Sequence, residues 1–240
     1  MKKISIVLFL SFSILFVGCQ VDSGKKSNSS SDLSGYFFPT DSLKPYIYVF
    51  QEESNPMDEK MFRIYRLENN NDTSLVIERF NANFRITEGF THDLNDSLNI
   101  TDYMIVDKDG IKRKANVLAN QSFPLSEDHV AYFAADFPSH IDSIPMIYES
   151  KRHIIKQDFK VKLFGKNVEA IKVADSIKIH IVNPKTKGSK TERAVTTRVY
   201  AKGYGLVEWG SEKLNISYKL TRILTDEWWS EFAQGPQVKF

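Results

Sequence analysis

The chain has 240 residues, 42% apolar and 12% aromatic, which is enough to bury one sizeable core. Its 32 Lys and Arg face 30 Asp and Glu; without Lys2 and Lys3 of the N-terminus the remainder is formally neutral, which excludes the basic surface of a nucleic-acid binder. A single cysteine excludes an internal disulfide.

Lys2-Lys3, the apolar run Ile4 to Val17 and the small residue Gly18 have the three-part form of a secretory signal peptide. The run is shorter than the roughly 20 residues a membrane-spanning helix needs, although a retained N-terminal anchor and ordinary secretion are the alternatives. The segment Leu15-Phe16-Val17-Gly18-Cys19 resembles the lipobox of bacterial lipoproteins, with Phe16 where that motif usually has Leu, Val or Ile. The resemblance implies cleavage before Cys19 and acylation of its sulfur by chains such as palmitate. It also removes the one candidate thiolate nucleophile. Gln20 follows the cysteine; by resemblance to the best-known Gram-negative sorting scheme, in which Asp there signals inner-membrane retention, it implies the outer membrane.

The expected organisation is therefore a signal peptide over 1–18, a lipidated Cys19 and flexible tether over 19–35, a β domain over 36–233 and a tail over 234–240. The tether contains Lys25-Lys26-Ser27-Asn28-Ser29-Ser30-Ser31, with almost nothing to bury. Strand signals follow at Tyr46–Gln51, Lys60–Glu68, Leu75–Phe80, Phe84–Phe90, Tyr103–Asp107, Met146–Ile155, Phe159–Leu163, Ile177–Ile181, Thr191–Ala201 and Leu214–Thr221. Several alternate strictly, as in Ile177-Lys178-Ile179-His180-Ile181, the period of two that marks antiparallel sheet with one wet face. Turn clusters separate them at Asn69–Asp72, Asp107–Gly110, Phe164–Asn167 and Lys185–Lys190.

Gly203 and Gly205, two apart in Tyr200–Trp209, read as lying on one face of a single strand, where the sheet bends or accepts close contact. Tyr200 to Val207 also resembles a run found in uncharacterised extracytoplasmic lipoproteins, some of them half-barrel carriers, and the resemblance implies that fold. Asp226 can cap a C-terminal helix that places Trp228, Trp229 and Phe232 on one face. The fold class expected is mainly β, a single curved antiparallel sheet, an open or half barrel, with a short C-terminal helix.

Chemical motifs are sparse. His92-Asp93 with Asp96 is the best metal candidate, but a polar turn explains it more simply, and neither a metal centre nor a cofactor is expected. Glu127-Asp128-His129 is consecutive, so in extended chain its side chains diverge, and His180 falls on the lysine-bearing face of its strand. Ser42, Ser97, Ser143 and Ser176 each follow Asp and precede an aliphatic residue. They resemble the three-residue O-glycosylation motif of some Gram-negative bacteria and are candidate modification sites at exposed turns.

The sequence thus points to a non-enzymatic, membrane-anchored envelope lipoprotein that binds a lipid, acyl chain or protein segment on the apolar face of a curved sheet. Partners are the membrane, through the lipid anchor, and a lipid or envelope protein, with no nucleic acid. Two rivals stand beside it: a structural or assembly subunit of an envelope complex, and an envelope hydrolase whose site assembles from distant residues.

Overall fold

A computed structural model describes residues 32–40, 44–69, 72–95, 98–107, 109–138, 144–183 and 188–233, with side chains of the last helix up to Trp229. The signal peptide, Cys19, most of the tether and the tail lie outside the described residues. Strands β1 (Tyr46–Glu52), β2 (Glu59–Asn69), β3 (Asp72–Phe80), β4 (Ile86–Asp93), β5 (Ile100–Val106) and β6 (Lys112–Lys114) run as a meander from the middle of the sheet to one edge. Strands β7 (Asn116–Asn120), β8 (Ala131–Pro138), β9 (Pro145–Leu163), β10 (Lys166–Val182), β11 (Ser189–Ala201), β12 (Gly205–Ser211) and β13 (Ile216–Thr225) return from the other edge to the middle. There β13 pairs antiparallel with β1.

Among the described residues this is one 13-stranded antiparallel sheet, as the alternation predicted, and it curls until it nearly closes into a barrel. Every successive pair of strands is hydrogen bonded except β6 and β7, which Ala115 alone separates in the chain. Its N–H donates to the Tyr103 carbonyl of β5 at 2.9 Å, continuing the β5–β6 ladder. The two free edges are thus short and lie near each other, and Lys112, Arg113 and Lys114 put three cations on one of them, a common guard against strand addition.

Alternation determines which side chains enter the barrel. Tyr48 and Phe50 of β1, Phe62 and Ile64 of β2, and Leu75 and Ile77 of β3 join one interior cluster. The opposite face of β1 is equally dry: Ile47, Val49 and Met61 form a second cluster outside the barrel. Helix α1 (Asp226–Ala233) covers that outer face, with Trp229 4.6 Å from the Phe80 ring and tilted at 60°. The helix lies on the convex side, so the concave face is closed by other means.

The folded chain begins ahead of the expected boundary. Leu33, assigned from sequence to the tether, is buried, and Ser34–Tyr36 form a 3-10 turn. Leu33, Phe37 and Phe38 pack into one end of the barrel with Phe123, held by backbone bonds from Leu33 N–H to Leu125 O and from Gly203 N–H to Gly35 O. This segment is a plug.

Gly203 and Gly205 do not lie within one strand. Gly203 sits in the β11–β12 turn and Gly205 opens β12, with φ of +76° and +77°, which glycine adopts without strain. The reading of close contact holds at Gly205, where an added Cβ would come 2.9 Å from Phe38 Cα. Two further differences have local causes. Met146–Ile155 and Phe159–Leu163 are one strand, because Asp158 absorbs the break as a bulge with φ +53°. Strand β8 carries alanine at 131, 134 and 135 and is buried on both faces, so it lacks alternation.

Gly210 has no room for a side chain. A Cβ there would overlap the Ile216 carbonyl oxygen of the neighbouring strand and come 3.1 Å from Ser217 Cα. Backbone cannot yield as a side-chain tip can, so Gly210→Ala is expected to cost about 1–3 kcal/mol, read as a lower urea midpoint. An unchanged midpoint would mean that β12 and β13 are not this close.

Candidate interior binding site

Halfway along the barrel the interior turns from apolar to charged. On β10 the inward series Ile171, Val173 reaches Asp175, which is fully buried. Directly across the ladder on β9 stands Arg152, and Arg198 projects from β11 on the other side, two positions beyond the residue paired with Asp175. Antiparallel register brings such opposite and diagonal side chains together. One carboxylate oxygen accepts from Arg152 Nε at 2.9 Å and Arg198 Nε at 3.2 Å, and the other accepts from Ser150 Oγ at 2.5 Å. Burial alone would raise the carboxyl pKa. The charges of Arg152 and Arg198 and the bonds from Ser150 and Arg152 outweigh it and hold Asp175 below the usual carboxylate range. Arg152 also donates through Nη1 to the Ser122 carbonyl.

A second charged group faces this one from β3 and β4. Arg79 and Glu88 are cross-strand partners, joined by a 2.6 Å bond from Nη1 to Oε1. The guanidinium of Arg79 lies between two rings, 4.8 Å from Phe62 and 4.9 Å from Phe90, so apolar side chains hold its plane. Tyr103 stacks on Phe90 at 4.6 Å and donates its hydroxyl to Glu88 at 3.2 Å. Burial, then the Glu88 charge, pushes the Tyr103 phenol far above its ordinary pKa, so it remains a donor.

His92 follows Glu88 and Phe90 on the same face of β4 and is 4% exposed. Its Nδ1 lies 3.0 Å from the Leu98 carbonyl, and the Phe37 ring of the plug meets it edge-on at 5.1 Å. Burial, helped by the charges of Arg152 and Arg79, lowers its pKa to about 4 despite the Leu98 bond. At neutral pH the imidazole is uncharged.

These residues enclose a cavity of about 170 Å³, bounded toward the plug by Phe37, Phe38 and Tyr200 and toward the seam by Tyr103 and Phe133. A neighbouring chamber of about 230 Å³ shares Arg79, Glu88, Arg198 and Leu206 as a common wall. It reaches the barrel end opposite the plug at Lys60, Asn81 and Trp209. Trp209 stacks on Tyr218 at 4.2 Å there, and Tyr218 is anchored by a 2.5 Å bond to Asp58. The interior is therefore not the purely apolar face expected from sequence. It is aromatic with a charged waist.

Few sequence-selected residues fall here. Cys19, Ser42, Ser97, Ser143 and Asp96 lie outside the described residues. Ser176 is exposed, but in the middle of β10 rather than at a turn, and the adjacent Asp175 points inward. His92 and Asp93 sit on opposite faces of β4, and among the described residues no three His, Cys, Asp or Glu side chains gather to hold a metal ion. His129 accepts the Leu125 N–H at 3.2 Å in a surface loop, and His180 bonds Thr191 on an exposed strand pair.

Arg79, Glu88, Arg152, Asp175 and Arg198 were not singled out from sequence. One signal was present: Asp175 interrupts an inward apolar series at the correct spacing, and a charge there must find partners.

No family model matches the chain, and no curated protein does. Two solved structures resemble it. One is provisionally described as an exported protein with a YmcC-like fold from Bacteroides fragilis, 13% identical, with a TM-score of 0.44 over 78% of this chain and 98% of that one. The other, provisionally described as a lipoprotein from Parabacteroides distasonis, is 12% identical, with a TM-score of 0.43 over 80% and 96%.

Proposed function

We propose that this chain is an exported lipoprotein, anchored through acylated Cys19, whose barrel interior binds a small amphipathic molecule without transforming it. The observation that carries the reading is the pair of adjoining chambers, stopped by Phe37 and Phe38 at one end and reaching Trp209 at the other. Concave sites that are largely aromatic with a few convergent polar groups are the usual form of small-molecule pockets. The chain enters the barrel at the plugged end, so a tether attached there leaves the Trp209 end unobstructed. Outer-membrane placement follows from Gln20 by resemblance alone.

A non-catalytic role suits the interior groups. Ser150 donates to a carboxylate already bound by two arginines, and among the described residues neither Ser150 nor Ser122 is bonded to a histidine that would activate it as a nucleophile. As for docking by strand addition, both sheet edges are short and turned toward each other.

Two measurements test the reading. Cells fed labelled palmitate should incorporate label into the protein, and Cys19→Ala should abolish it; label retained by the variant would remove the anchor. Native mass spectrometry of protein from the host envelope should show one extra small molecule that solvent extraction releases. A mass equal to polypeptide plus anchor alone would count against interior binding.

A further inference from the structure

The interior carries more hydrogen-bond donors than the fold uses, and their excess is positive. Three arginines, Arg79, Arg152 and Arg198, face two carboxylates, Glu88 and Asp175, while His92 is neutral, which leaves one uncompensated positive charge around the cavity. The unspent donors can be named. Arg79 uses Nη1 on Glu88, but its buried Nε has no partner among the described residues. Arg198 uses Nε and Nη2 on Asp175 and makes no further bond among the described residues. Ser122, 5% exposed, lines the inner chamber and Trp209 the outer one, and among the described residues neither the Ser122 hydroxyl nor the Trp209 indole N–H has a hydrogen-bond partner. Buried donors are normally satisfied, and leaving one unmade costs about 1–3 kcal/mol. Here Arg79 and Arg198 border both chambers, Ser122 the inner one and Trp209 the outer one. Apolar or neutral cargo would leave both the donors and the charge uncompensated.

We infer that the barrel binds an amphipathic monocarboxylate, its head held by Arg79 and Arg198 at the wall between the chambers and its apolar part among the rings of the inner chamber. This rests on the reading of the barrel as a binding site and names the class of its ligand. Guanidinium groups suit a carboxylate because their planar N–H edges match its two oxygens. One residual positive charge matches one carboxylate, whereas a phosphate monoester would bring about −1.5 to −2 and leave a buried excess of negative charge. Size narrows the choice further. The inner chamber of about 170 Å³ is close to the ~150 Å³ engineered cavity known to hold benzene, so a ring or short chain fits where a long acyl chain would not.

The test uses the mature chain, Cys19 to Phe240, produced without a leader and therefore free of lipid and detergent. Titration calorimetry compares 3-phenylpropanoate with the neutral 3-phenylpropan-1-ol and with 2-phenylethyl phosphate. The carboxylate should bind one to one, at least tenfold tighter than either of the others. Arg198→Met should weaken it at least tenfold, and Ser122→Ala, which disturbs no existing side-chain bond, by a few-fold. If Arg198→Met does not fold, the ligand series on the unaltered chain and Ser122→Ala still decide. Alcohol binding as tightly as carboxylate would overturn the anion assignment while leaving an interior binding site; phosphate binding more tightly would overturn the single-charge argument. Carboxylate affinity unchanged in both variants would place the ion elsewhere. Binding of none of the three, with nothing carried by protein from the host envelope, would overturn both this inference and the reading beneath it.

Discussion

Asp175→Asn is expected to lower stability by about 3–5 kcal/mol, measured by urea unfolding at neutral pH. The reason is not the loss of one attractive contact. The carboxylate is fully buried, and Arg152 and Arg198 are themselves only 11% and 14% exposed, so removing the anion leaves two cations with little water to solvate them. Asparagine retains an oxygen for the Ser150 hydroxyl, which isolates the effect of charge from that of shape. A triple replacement, Arg152→Met with Asp175→Leu and Arg198→Met, should recover much of the loss, because an apolar trio of similar volume removes the desolvation cost with the charges. If Asp175→Asn changes stability by less than about 1 kcal/mol, the waist is wetter than its burial implies. Survival of the single variant together with collapse of the triple one would contradict the argument outright.

Lowering the pH from 6.5 toward 4 should cost about 3 kcal/mol of stability through His92 alone. The folded pKa of about 4 lies below the ordinary 6.5, so between these values the unfolded chain binds more protons than the folded one. Stability then rises with pH across this window: the contribution is complete above about 6.5 and is lost as pH falls to 4. Groups facing the imidazole act in the same direction, since Arg79 and Arg152 repel the imidazolium and Phe37 and Phe90 exclude water from it. Carboxylates add to the loss only at the bottom of this window: Asp175 is held below its ordinary 3.8 and Glu52 below its ordinary 4.5, so their contributions start to fall as pH drops through those ordinary values. Unfolding midpoints at pH 7.5 and 4.8 should diverge in the natural chain and converge in His92→Gln, which keeps a donor for the Leu98 carbonyl but does not titrate. Equal slopes in the two proteins would remove His92 as the cause.

His92 lies against the plug, so acid would act where Phe37 closes the barrel. Protonation places a cation beside Arg79 and Arg152, in the wall of the inner chamber. Stability and ligand capacity are therefore coupled through one short stretch of interior. This is the expected consequence of using the same side chains to hold the barrel closed and to line its cavity.

Sequence alone determined what depends on local periodicity and local chemistry. Alternation at Ile177–Ile181 and in β13 required a one-sided antiparallel sheet, Phe164-Gly165 closed a two-residue hairpin with φ of +48° and +80°, and Asp226 began the terminal helix. These features are written within a few residues of themselves. Tertiary structure decided what depends on register between distant strands. The pairing of β1 with β13 joins the two halves of the chain into one sheet, the plug draws Leu33 out of the tether, and α1 goes to the convex face because Ile47, Val49 and Met61 offer an apolar surface there. The charged waist belongs to the same class. Arg152 and Asp175 are far apart in the chain and become direct neighbours through one antiparallel register, and slipping it by a single residue would turn one of them outward. A sequence states which residues are charged; only the closed sheet determines which of those charges must answer one another away from water.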